Sequence, residues 1–153
     1  MTAERNSKIL DARFGTDLVR IGDSAIPGAG HGTFARENIP CHTRLGEYAG
    51  IRINATVYNN AHINDVNSNK FLFGVNQNGR LSSYIDAETI PASNWTRWIN
   101  GTRGPREEKF RINIEAYQYS GRIWFRTTRP VKKGEELIMS YGRDYWKHLM
   151  IYK

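Results

Sequence analysis

Hydrophobic positions along this chain come in short bursts separated by glycine, asparagine and charged turns, with little sustained helical period. Residues 19–21 form a β-branched run closed by the polar turn Gly22-Asp23-Ser24, and residues 26–35 form a glycine-rich link between two strands. Residues 45–48 and 51–53 bracket Ala49-Gly50, which predicts one strand with a bend. Residues 70–75 and 81–86 flank Gln77-Asn78-Gly79, and Asn-Gly between apolar runs is a strong hairpin signal. A second hairpin is predicted from residues 112–119 and 122–127 around Ser120-Gly121. Residues 55–69 are polar and read as a loop or short helix. Residues 91–99 fit one or two helical turns capped by Ser93 or Asn94, and residues 100–109 read as a polar loop. The remaining helices are expected near residues 2–14 and 144–152. The pattern predicts a mainly β (β-rich α+β) domain of several small sheets with few short helices.

Three stretches could carry chemistry. Residues 134–146, GEELIMSYGRDYW, run from a charged turn through an apolar burst to Ser140, Tyr141 and Gly142, with Tyr145 and Trp146 beyond. They read either as a core strand and amphipathic turn, or as the wall of an apolar slot holding one hydroxyl. Residues 93–100, SNWTRWIN, either bury Trp95 and Trp98 beneath a helix cap or bind a ligand. Asn94, Arg97 and Asn100 must find partners if buried. Gly28, Gly30 and Gly32 form either an inter-strand turn or a point of close backbone approach to a ligand. No Gly-Lys-Ser/Thr follows, so this is not a P-loop.

At 153 residues, 39% apolar and 24% charged, the chain is expected to form one domain with its own core. The apolar runs are too short for a membrane-spanning helix, and residues 1–10 have no apolar leader character. The single cysteine, Cys41, excludes an intramolecular disulfide and any multi-cysteine zinc site. His31, His42, His62 and His148 fall at no metal-ligand spacing, so no metal is predicted. Asn-x-Thr sequons start at Asn54, Asn94 and Asn100. Cysteine usage fits a reducing cytosolic or nuclear compartment better than secretion, which makes them chance matches. The net charge of +7 points to an acidic partner. The basic residues are dispersed, which suits a general attraction to chromatin-like surfaces and not a sequence-reading module.

Taken in order, SxIPGAGHGTFA, GEYAG, YIDA, SNWTRWIN and GEELIMSYGRDYW make a far more specific set than any one of them. The chain resembles the SET-domain protein-lysine methyltransferases over residues 18–146. It is most similar to the PR/SET branch and to compact stand-alone SET proteins of viral and protist type. The resemblance implies a SET-domain fold with a threaded, pseudoknot-like C-terminal segment. Residues 1–17 would be an N-terminal extension, and residues 147–153 a short tail completing the site.

The resemblance also implies S-adenosylmethionine as cofactor, with S-adenosylhomocysteine as product and no metal. Ala29, Gly30 and His31 match the family's cofactor turn. Arg97-Trp98-Ile99-Asn100-Gly101 stands where the family has Arg-Phe-x-Asn-His, so Asn100 and Gly101 are cofactor candidates, and Gly101 replaces a histidine. Asn113 falls at the crossing of the threaded segment. Tyr141 matches the catalytic tyrosine, and Tyr48 sits at the rim of the lysine channel. Phe71, Phe73, Met139 and Tyr145 would line that channel, Trp146 would cover the adenine, and the substrate would pair as a strand beside residues 71–75.

An apolar channel next to a sulfonium lowers the pKa of an incoming lysine from about 10.4, freeing the lone pair for in-line attack. The implied substrate is a histone tail or another lysine-containing peptide. Nucleosomes could be met through the basic surface, and a homodimer could form through a strand edge. The implied location is the nucleus, or a host nucleus if the source is viral. An inactive PR/SET-type binding module is the alternative. A nucleic-acid binder stacking bases on Trp95, Trp98 and Trp124 is a third reading.

Overall fold

The structure is a computed structural model that describes residues 15–61, 71–89, 92–102 and 111–140. Among the described residues, four small sheets surround a main core, with a smaller cluster of Ala55, Leu72 and Tyr84 beside it. Strands β1 (Val19–Asp23) and β2 (His31–Ala35) form an antiparallel pair, and β3 (Arg44–Glu47), β9 (Arg122–Thr127) and β8 (Ile114–Tyr119) form a second sheet in that order. The third sheet has the order β4 (Ile51–Asn54), β6 (Arg80–Asp86), β5 (Leu72–Gln77). The fourth is the parallel pair of β7 (Asn100–Thr102) and β10 (Ile138–Ser140). Helix α1 (Ala55–Ala61) and the 3₁₀ turn Trp95–Trp98 complete the order. One apolar cluster unites the sheets, with Val19, Tyr48, Phe73, Trp95, Phe125, Leu137 and Met139 among its members.

Both predicted hairpins form where the turn chemistry places them. Asn78 and Gly79 have φ of 52° and 78°, and Ser120 and Gly121 have 53° and 74°. These left-handed pairs match the twist of the flanking strands. β1 runs on through the expected turn residues Gly22 and Asp23, because each faces a partner on β2.

Two expectations are corrected. Residues 45–53 are not one bent strand: β3 pairs with β9 and β4 pairs with β6, so the chain changes sheets at Ala49-Gly50. A Cβ on Gly50 would stand 2.5 Å from the Asp86 carbonyl, which is why glycine occupies the crossing. Residues 100–102, expected in a polar loop, instead form β7 and pair with β10.

That parallel pairing completes a threaded crossing. Ala35 N donates to Glu135 O (2.9 Å) and Leu137 N to Thr33 O (2.8 Å), so the segment before β10 lies along β2. Asn113, 1% exposed, clamps it from the other side. Its Nδ2 donates to Glu136 O (2.9 Å), and its Oδ1 accepts from Ile138 N (2.8 Å). Its backbone N–H also donates to Ile138 O (3.0 Å). The helices expected near residues 2–14 and 144–152 lie outside the described residues.

Candidate cofactor turn and lysine channel

The glycine turn joins β1 to β2. Gly28 and Gly30 have φ of 77° and 72°, and a Cβ built on either meets nothing within 4 Å. Ala29 N donates to Ile26 O (3.1 Å) and Ser24 N to Gly30 O (2.8 Å), so the turn is held from within while one side stays open. Gly32 is different. Its φ is not left-handed, but a Cβ there would stand against Glu136 Oε2 and within 3.2 Å of Asn100 Nδ2.

Asn100 opens β7 and reaches back to this turn. Its Nδ2 donates to His31 O (2.8 Å) and to Glu136 Oε2 (3.1 Å). The Glu136 carboxylate also accepts from Ser24 Oγ (2.7 and 3.0 Å to its two oxygens) and from Ala25 N (3.2 Å). Glu136 had no role in the sequence reading, where it was one of two glutamates in a charged turn. Its signal was the third glycine, which turn geometry does not require.

A second group stands on β3, β5 and the loops beside them. Tyr48, 3% exposed, donates its hydroxyl to Phe71 O (2.5 Å) and packs against Phe73 at a ring-centroid distance of 4.6 Å. Met139, paired with Gly101 across β10 and β7, belongs to the same apolar cluster. Phe71 is half-buried against it.

Arg97 and Trp98 join the two groups. The Arg97 guanidinium lies 4.1 Å from the Phe71 ring centroid and 4.4 Å from that of Trp98. It donates to Ala87 O (2.9 Å) and Glu88 O (3.0 Å). Burial pulls its pKa below the ordinary value, against the opposing influence of Tyr48 and Glu88. Trp98 in turn meets the His31 ring edge-on at 5.2 Å.

Within 93–100 the cap is Asn94. Its Oδ1 accepts from Thr96 N (3.0 Å) and its Nδ2 donates to Glu47 O (2.9 Å), so this asparagine is structural. Trp95 is 1% exposed and packs under Gly46, so it offers no face on which a base could stack. The Trp124 face is taken by the Arg44 guanidinium at 4.3 Å. Along β5, beside which the substrate strand is expected, residues 72–75 are buried. At its far end Gln118 of β8 donates to Asn76 O (2.6 Å) and accepts from Asn76 N (2.8 Å). These bonds tie the end of β5 to β8 at Asn76, beyond residues 71–75. Tyr141, Tyr145 and Trp146 lie outside the described residues.

Strands in four small sheets around a threaded crossing define a SET-type fold. The structure of the methyltransferase domain of human PR domain-containing protein 2 shares it, with a TM-score of 0.65 and 20% identity over 93% of this chain and 87% of that one. A Chaetomium thermophilum polycomb repressive complex 2 structure, autoinhibited and bound to S-adenosylmethionine, matches with a TM-score of 0.64. Identity there is 24%, over 85% of this chain and 16% of that chain. In sequence, the histone-lysine N-methyltransferase set-17 of Caenorhabditis elegans is 31% identical over 128 residues, or 84% of this chain. This chain spans 42% of that relative's length.

A family profile described as the PR domain of PR domain zinc finger protein 2 matches residues 19–152. The chain belongs to the PR-domain (PR/SET) family.

Proposed function

We propose that the chain is an S-adenosylmethionine-dependent protein-lysine N-methyltransferase acting on histone-tail lysines, with residues 18–146 as its catalytic unit and the nucleus as its place of work. The observation that carries this reading is a convergence. The open glycine turn and Asn100 stand at one end of the Arg97–Trp98 bridge, and Tyr48, Phe71 and Phe73 stand at the other. The relative named as a histone-lysine methyltransferase and the fold neighbour bound to S-adenosylmethionine support it.

The residues present fit that cofactor. Gly28 and Gly30 leave space where a side chain would stand, so the backbone of residues 28–31 is open to a ligand. Asn100 and the backbone of Gly101 would hold it from β7. Bound there, the cofactor supplies an electrophilic methyl group on a sulfonium. Tyr48 and Phe73 supply an apolar wall that excludes water and disfavours a charged ammonium. The Tyr48 hydroxyl already donates to Phe71 O, so toward a lysine amine it acts as an acceptor and aims the lone pair. The fixed charge of Arg97 beside Tyr48 and Phe71 adds to the pressure against a second cation. Tyr141 would complete the transfer point, and positioning, not proton abstraction, would be its contribution.

Calorimetry with S-adenosylmethionine, followed by mass spectrometry of nucleosomes treated with wild type and Tyr141→Phe, tests this. Wild type should bind the cofactor and modify a lysine, and Tyr141→Phe should lose roughly tenfold or more in rate, about 1.4 kcal/mol of barrier. A protein that binds the cofactor but transfers to no lysine would be the inactive module instead.

A further inference from the structure

Glu136 occupies an unusual position for a carboxylate. It is half-buried on the threaded segment, between two bonds that hold its neighbours to β2, and its side chain points into the back of the glycine turn. Its described partners are the Ser24 hydroxyl, the Ala25 N–H and the Asn100 amide, and no arginine or lysine is among them. It faces Gly32, the one position in the turn whose missing side chain makes room for it.

The consequence falls on Asn100. Its side-chain nitrogen is flanked by two acceptors, His31 O at 2.8 Å and Glu136 Oε2 at 3.1 Å. Were the amide turned over, its carbonyl oxygen would face both of them with no proton between, and each contact would become repulsive. The carboxylate, a stronger acceptor than a neutral carbonyl, thus fixes which way the amide stands. With both N–H groups turned inward, Oδ1 is left to face outward as a hydrogen-bond acceptor.

We infer that Glu136 is a positioning residue for the cofactor site. It locks the Asn100 amide so that Oδ1 accepts from an N–H donor of the ligand, and through Ser24 and Ala25 it sets the height of the glycine turn. This rests on the methyltransferase reading above and adds the residue that orients its asparagine. It also accounts for Gly32: any side chain there would expel the carboxylate from its place.

The test separates orientation from activity. In wild type, the Asn100 side-chain NH₂ signals in a ¹H–¹⁵N spectrum, assigned by their loss in Asn100→Ala, should be shifted downfield and protected from exchange. Glu136→Gln is nearly isosteric but lets the amide turn over. It should move those signals, weaken S-adenosylmethionine binding about tenfold by calorimetry, and leave KM for the peptide unchanged. Ser24→Ala, which removes only the hydroxyl, should weaken cofactor binding about threefold with the Asn100 signals in place. This milder variant keeps the test open if Glu136→Gln unfolds. Unchanged Asn100 signals and unchanged cofactor affinity in both variants would overturn the inference. Wild type that binds no cofactor would instead sink the methyltransferase reading, while the Asn100 signals would still decide whether Glu136 orients the amide.

Discussion

Glu135 and Glu136 are adjacent and chemically identical, yet the structure gives them opposite tasks. Glu135 is half-buried against Arg129. Burial works against its charge, but the Lys132 N–H, the Arg129 guanidinium at 3.1 Å and the Asn113 amide outweigh it and hold its pKa below the ordinary 4.5. A carboxylate with a depressed native pKa stabilises the fold fully above its unfolded value and loses that contribution as pH falls through the native one. Wild type should therefore lose thermal stability between about pH 4.5 and the lower native value, and Glu135→Gln should flatten that limb of the Tm–pH profile. Parallel profiles for the two proteins would remove Glu135 from acid stability. In the sequence the two glutamates were indistinguishable members of a charged turn. Only their pairing partners, 23 and more residues away in the chain for Glu136, tell them apart.

At the scale of elements, legibility followed the strength of local chemistry. The hairpins at Asn78-Gly79 and Ser120-Gly121 were readable because left-handed turn residues sit between alternating runs. β7 was not, because Asn-Gly-Thr has no apolar alternation and becomes a strand only when β10 arrives beside it. The split of residues 45–53 between two sheets was hidden for the same reason, since both halves pattern as strand whichever neighbour they meet. Asn113 was legible as a position at the crossing, through the family resemblance, but its bonding was not. Asn113→Ala would leave Ile138 N and Glu136 O without their described side-chain partner. It should cost about 3 kcal/mol in chemical denaturation, near the upper end for orphaned buried groups. A loss under about 0.5 kcal/mol, typical of surface changes, would mean the thread is held elsewhere.

The whole molecule carries a net charge of +7, but several of its described arginines are engaged one by one. Arg122 lies 3.7 Å from Glu47, Arg126 2.6 Å from Glu115 and Arg129 3.1 Å from Glu135. Arg44 and Arg97 rest on aromatic rings. Those five are not free to line a phosphate groove, and the basic residues as a whole are dispersed along the sequence, which suits a diffuse field. A field of that kind speeds encounter with an acidic partner without fixing where it sits. A protein making 6–10 phosphate contacts loses about 10³–10⁵ in affinity between about 50 and 200 mM salt. On the proposed function, nucleosome binding should fall by only about 10- to 100-fold over that range, the loss expected for a few loose contacts. Cofactor affinity measured in parallel should hold steady, because the glycine turn and Asn100 would hold the cofactor through backbone and amide groups and not through free cations, whose attraction salt screens. A thousandfold fall would mean a dedicated phosphate-binding face. No fall at all would mean that the charge plays no part in finding the substrate, and that recognition rests on the peptide and the channel alone.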